Sequence, residues 1–170
     1  MTNGSATTDH HPIFDAFPRW EGETDPGFVY DFLGVRTRQS WFHGLADSAS
    51  RVRPSLPAID EEYFEWIDLL ESVASATETF QMIELGAGWG RWSMRAAAAA
   101  AALGKHARLV AVEAEPTHFT WLQQHFEDNG IAPSHLHLVR AAVASAAGFV
   151  NFHIGDPAAW YGQAIDRHAL

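Results

Sequence analysis

The 170-residue chain contains no cysteine, so disulfides, thiolate metal sites and a cysteine nucleophile are all excluded. It is also short of positive charge. Eleven Lys and Arg face 21 Asp and Glu, for a formal net charge of −10 with the histidines neutral. That sign repels nucleic-acid phosphates and anionic membrane surfaces, so neither is expected as the main partner. Long apolar runs are lacking too. The longest, from Ala96 to Leu103, falls far short of the roughly 20 residues that cross a bilayer as a helix. The N-terminus, MTNGSATTDHHPIF, has no basic stretch followed by an apolar one. No secretory signal is read there, and a cytoplasmic location is expected. What the chain does have is 47% hydrophobic and 12% aromatic residues, enough for one domain with a real core.

Three regions are expected. Residues 1–12 are polar and rich in Gly, Ser and Thr, and read as a disordered tail. Residues 13–57 carry aromatics, Gly and Pro without a sustained helical period, and Val29, Phe32, Leu33 and Val35 suggest short strands or an irregular cap. From residue 58 to 170 the pattern becomes that of an α/β domain. Asp60 is a plausible N-cap, and Tyr63, Phe64, Ile67, Leu70 and Val73 follow at helical spacing, which predicts a helix over 60–76. FQMIEL at 80–85 is a short apolar run ended by glycines, suiting a buried parallel strand. A helix over 91–103 follows, built on consecutive alanines and closed by Gly104. RLVAVE at 108–113 is a second strand. Pro116, Phe119, Leu122 and Phe126 then mark a helix that Asn129-Gly130 stops. LHLVRA at 136–141 is a third strand, and Val150, Phe152 and Ile154 alternate as a fourth, hairpin strand would. Strand, helix, strand, helix, strand implies a parallel sheet with right-handed crossovers.

Glu84-Leu85-Gly86-Ala87-Gly88-Trp89-Gly90 is the informative stretch. A glycine-rich turn between strand and helix lets the backbone approach a ligand where a Cβ would intrude. The spacing is Gly-x-Gly-x-Gly; a dinucleotide fingerprint needs Gly-x-Gly-x-x-Gly, and that last position is Arg91. This turn suits the methionine portion of S-adenosylmethionine, with its amino group and sulfonium, and Glu84 supplies a carboxylate near those cationic groups or caps the turn that follows. Glu113 ends the second strand 27 residues after Gly86, where an acidic side chain accepts hydrogen bonds from both ribose hydroxyls.

The stretch from Ile83 to Phe152 resembles the FkbM-type methyltransferases, a class I S-adenosylmethionine-dependent family with a Rossmann-like fold. Their turn, Asp-Val-Gly-Ala-Asn-x-Gly, is matched by residues 84–90, with Gly88 in place of the asparagine. Their second-strand ending, Phe-Glu-Pro-x-Pro, corresponds to Val112-Glu113-Ala114-Glu115-Pro116. Their Asn-Ala-Ala-Val-Ser-Asp turn and Gly-x-Val-x-Phe correspond to Arg140-Ala141-Ala142-Val143-Ala144-Ser145 and Gly148-Phe149-Val150-Asn151-Phe152, with Ser145 where the aspartate stands. The resemblance implies S-adenosylmethionine as cofactor, held by Glu84, Gly86, Ala87, Gly88, Gly90, Glu113, Ala114 and Ala142, the last lying against the adenine. It also implies methyl transfer to a hydroxyl on a sugar, lipid or polyketide-like small molecule. A seven-stranded sheet is the rule in that class, so the C-terminal strands are expected to be missing from this chain. A homo-oligomer that completes the sheet is one expectation from this. A non-catalytic or degenerate cofactor-binding fragment is the alternative function, and a nicotinamide-dependent oxidoreductase is disfavoured by the glycine spacing.

A general base is sought among the histidines, with His153 the candidate beside the cofactor end of the sheet. His118 and His125 read as solvated or packed helix residues. His135 and His137 fall on one strand face but lack a third ligand, so no metal site is expected. Trp160-Tyr161-Gly162-Gln163 reads either as lining for the acceptor pocket or as a loop whose aromatics pack on the core, and Arg36 and Arg38 read as surface charge or, less often, as contacts for an anionic acceptor.

Overall fold

The computed structural model describes residues 10–41, 50–158 and 163–165; the tail up to residue 9, His43 and residues 160–162 lie outside them. A 3-10 turn over Pro12–Ala16 opens the described chain. His10 and His11 are not a solvated tail. The His11 amide donates to the Tyr63 hydroxyl at 2.8 Å, and His10 Nδ1 meets the same oxygen at 3.2 Å. Four short strands follow: β1 (Gly22–Glu23), β2 (Phe28–Tyr30), β3 (Arg36–Arg38) and β4 (Arg51–Val52). β2 and β3 form an antiparallel hairpin, and β1 pairs antiparallel with β4. The Asp31 carboxylate closes the hairpin by accepting from the amides of Leu33 and Val35, the local side-chain bond for which Asp is favoured in turns.

Helix α1 (Tyr63–Ser75) begins three residues later than its periodicity suggests. Asp60 takes the Glu62 amide on its side chain and the Tyr63 amide on its carbonyl, so an Asx-type turn precedes the first helical turn. Lys105 caps the other end, its ammonium donating to the carbonyls of Val73, Ala74 and Ala76. A cation at a helix C-terminus meets both orphan carbonyls and the negative end of the dipole.

The rest is a βαβαβ unit: β5 (Thr79–Leu85), α2 (Arg91–Ala102), β6 (His106–Glu113), α3 (Pro116–Asp128) and β7 (Leu136–Arg140). The three strands form one parallel sheet in the order β5-β6-β7. This is the expected α/β class. The alanines of α2 explain its close seat: Ala96, Ala97, Ala99 and Ala100 are buried, in one core with Leu109 and Ala111 of β6. The N-terminal segment shares that core through Phe14, Phe17, Phe32 and Val35. Burying each such side chain stabilises by about 1.5–3 kcal/mol. Beyond the sheet, β8 (Phe152–His153) pairs antiparallel with β9 (Ala164–Ile165). The expected strand through Val150 and Ile154 is therefore reduced to two residues. His135 belongs to a 3-10 turn over Pro133–His135, outside the strand that holds His137, so the two histidines do not share a strand face.

Candidate cofactor site

Parallel strands end on the same side, so β5, β6 and β7 deliver their C-terminal residues to one edge of the sheet. A cavity of about 690 Å³ opens there. The β5 end supplies Glu84, Leu85, Gly86, Ala87, Gly88 and Trp89, with Arg91 and Trp92 from α2; the β6 end supplies Glu113 and Ala114, with His118 from α3; the β7 end supplies Ala141, Ala142 and Val143. Phe152, Gln163 and Ile165 of the β8–β9 segment complete the lining.

Gly86 sits at φ +71°, and a Cβ built there meets nothing within 4 Å, so its α-carbon looks onto open cavity. Glu113 is 6% exposed and held by two backbone amides: its Oε2 accepts from Gly88 at 2.7 Å and its Oε1 from Glu115 at 2.7 Å. A carboxylate oxygen has two lone-pair sites, so each oxygen keeps one for a further donor. Glu84 is placed differently. Its carboxylate takes the amides of Trp92 (3.2 Å) and Ser93 (2.9 Å) and the Ser93 hydroxyl. These bonds satisfy orphan donors at the start of α2. Burial raises its pKa above the usual carboxylate value, against the opposing pull of those bonds and of Arg95. Ala87, Gly88, Ala114 and Ala142 line the cavity as expected.

Two expectations need correction. Gly90 is not among the described cavity-lining residues. At φ +75° it is the N-cap of α2, and a Cβ there would stand 2.4 Å from Leu122 Cδ1 and 3.0 Å from Phe126 Cε2. It is a glycine because α2 and α3 touch at this point. His153 is also outside the cavity. Alternation on β8 turns Phe152 to the lining and leaves His153 exposed, so the candidate base does not face the site. The histidine that does is His118, buried on the first turn of α3, with Nε2 donating to the Pro157 carbonyl at 2.7 Å. The spacing of His118, Leu122 and His125 at i, i+4, i+7 carried that signal: all three are buried.

Behind the cavity lies a charged layer. Arg91, the one Lys or Arg among the described lining residues, is paired with Glu62 and lies 5.8 Å from the Trp89 ring centroid. Arg95 is sandwiched between Trp66 and Trp92, at 4.1 and 4.5 Å from their centroids, and sits 3.7 Å from Asp31 and 3.8 Å from Glu62. Burial, helped by Arg91, lowers its pKa to about 10. Burial likewise raises that of Asp31. Arg36 and Arg38 do not face the cavity. Arg36 pairs with Asp25, while Arg38 holds Asp128 through two bonds of 2.6 and 2.9 Å, tying the hairpin to the end of α3.

No family model matches the chain. It is 28% identical over 134 residues to a protein of Jannaschia sp. (strain CCS1) named "Putative methyltransferase", the match covering 77% of this chain and 48% of the relative. The chain thus spans about half the length of the curated relative it matches. Among solved structures it is similar to one described as "METTL16 MTase domain (crystal form 2)", with 14% identity and a TM-score of 0.36 over 81% of this chain and 54% of the other. The sequence likeness is to a protein carrying that name; the site itself is a glycine turn and a carboxylate on adjacent parallel strand ends.

Proposed function

We propose that the chain binds S-adenosylmethionine in this cavity and belongs to an enzyme that transfers its methyl group to a hydroxyl of a small molecule. One observation carries the reading: Glu113, at the end of the middle strand, is fixed by the Gly88 amide of the glycine turn and keeps lone pairs for two ribose hydroxyls. The residues fit the cofactor. Gly86 leaves a cradle that a Cβ would fill, Arg91 offers a cation for the methionine carboxylate, and the alanines beside β7 leave room for a flat ring. When bound, the cofactor supplies an activated methyl on a sulfonium with an excellent leaving group. The chain's own part is to hold the two reactants in line. Glu113 fixes the ribose, and the glycine turn, its Gly86 and Ala87 amides bonded to Val112 and its Gly88 amide to Glu113, brings a backbone without side-chain bulk at Gly86 against the methionine portion.

The hydroxyl acceptor, and an FkbM-type assignment within the class, rest on the resemblance of residues 84–90, 112–116 and 140–152. A net charge of −10 supports a small-molecule partner over nucleic acid or an anionic membrane. Among the described residues no helix is long and apolar enough to cross a membrane, and a cytoplasmic location is part of the proposal.

Calorimetric titration with S-adenosylhomocysteine, with NAD as control, tests the reading. Binding is expected for the former alone. Glu113→Ala should weaken it by about 1–3 kcal/mol, the scale of hydrogen bonds lost from a charged group. Binding of NAD instead, or S-adenosylhomocysteine affinity indifferent to Glu113→Ala, would overturn it.

A further inference from the structure

The glycine turn is braced by a residue that does not line the cofactor cavity. Gly88 and Gly90 flank Trp89 at φ +55° and +75°, and backbone without a Cβ rotates with little hindrance. The packing around Trp89 leaves room for such rotation. Trp89 borders the cofactor cavity and also a second one of about 170 Å³, shared with Asp31, Thr37, Arg91, Arg95 and His125.

What holds the turn is His125, in the last turn of α3 and 1% exposed. Burial keeps its imidazole neutral at neutral pH. Its Nδ1 meets the Trp89 carbonyl at 2.9 Å, and its Nε2 meets the Thr37 hydroxyl at 3.2 Å. A carbonyl can only accept, so the one ring N–H goes to Trp89 and the ring lone pair to Thr37. The Trp41 ring stands edge-on to the imidazole, 5.6 Å between centroids, and holds its plane. The Trp89–Gly90 peptide is thereby fixed at both ends, since the Gly90 amide donates to the Ala87 carbonyl at 2.7 Å. Two peptides upstream, the Gly88 amide holds Glu113 Oε2. A line of bonds thus runs from β3 through α3 to the turn, and the turn in its own right holds Glu113.

We propose that His125 is a positioning residue for the cofactor: through the Trp89 carbonyl it sets the glycine turn, and through Thr37 it ties cofactor affinity to the N-terminal hairpin. This rests on the S-adenosylmethionine reading above. A turn released from His125 spends part of its time in conformers that do not hold Glu113, and apparent affinity falls with the competent fraction. A histidine that merely filled space would be replaced by an apolar side chain with no loss of affinity.

The test pairs calorimetric titration with S-adenosylhomocysteine and hydrogen exchange at the Gly88 amide, in variants shown to be folded by circular dichroism. His125→Leu removes the donor; affinity should fall about tenfold, and Gly88 should exchange faster. His125→Asn restores a short N–H donor and should recover affinity to within about threefold of wild type. Thr37→Val keeps the shape, loses the hydroxyl, and should weaken binding about threefold. Phe14→Leu alters the core away from both cavities; it should lower the unfolding midpoint and leave affinity and Gly88 exchange unchanged. Wild-type affinity in His125→Leu, equal losses in His125→Asn and His125→Leu, or as large a loss in Phe14→Leu overturns the proposal and leaves the cofactor assignment standing. If His125→Leu does not fold, Thr37→Val decides: unchanged affinity and unchanged exchange overturn it. Wild-type protein that does not bind S-adenosylhomocysteine overturns both readings together.

Discussion

Glu84 and Glu113 end neighbouring strands and are both withdrawn from water, yet their oxygens are committed differently. Glu84 gives its lone pairs to the first turn of α2, Glu113 to two loop amides with room to spare. Sequence spacing made both candidates and named both possible roles of Glu84; only the direction of the hydrogen bonds separates them. His125 shows the same limit. It lies inside the protein, and because Trp89 offers only a carbonyl, Nδ1 must donate to it (2.9 Å) while Nε2 accepts from Thr37 (3.2 Å). Burial holds its pKa near 4 against an ordinary 6.5. Between those values the unfolded chain binds the proton and the native one does not, so acid favours unfolding. The contribution is whole above pH 6.5 and is lost as pH falls toward 4; it amounts to about 3 kcal/mol at most. Asp31 and Glu84, with pKa values raised by burial, work in the opposite sense: each favours the native state more as it is protonated. Urea unfolding of wild type against His125→Gln isolates the histidine. The stability difference between them should shrink or reverse across that window and stay flat above it.

At the scale of elements, most of the βαβαβ unit was legible because its signals are local and periodic. The strand runs, the alanine helix and the Pro116 start all fall within two residues of their expected bounds. The N-terminal segment was not legible in the same way. Its order depends on pairings distant in sequence, such as Arg38 with Asp128 and His11 with Tyr63, which leave no period to read. Gly90 failed for another reason: Gly-x-Gly-x-Gly does not say which glycine meets a ligand and which meets a helix. The distinction predicts different costs. Gly90→Ala adds a Cβ 2.4 Å from Leu122 in a left-handed conformation. Strain of about 1–2 kcal/mol and overpacking of about 1–3 kcal/mol should both appear as a lower denaturation midpoint. Gly86→Ala meets open space and bears only the conformational term, so its main effect should fall on ligand affinity. Equal losses of stability at both positions would sink the packing role of Gly90.

For the molecule as a whole, the unequal faces of the sheet decide behaviour in solution. Parallel sheets are as a rule covered on both faces. Here Met82, Leu109 and Leu136 face the helices, while the register that aligns Ile83 with Val110 and His137 leaves the opposite face open. Ile83 is 66% exposed and Leu85 60%. β5 also has a neighbour on one side alone among the described strands, so a row of backbone donors and acceptors stands free beside that apolar face. An unpaired edge next to exposed apolar residues is a template for another chain. The 170-residue chain should therefore self-associate over the micromolar range, as species with exposed apolar surface do. Sedimentation velocity would register this as a weight-average mass rising with concentration. Ile83→Lys puts a charge on the face without touching the core, so it should keep the circular dichroism spectrum and lower the association. Leu85 is left alone in this test because it also lines the cavity. Were association to persist unchanged in Ile83→Lys, the contact would have to lie elsewhere, and the fully exposed Phe149 would be the next residue to change.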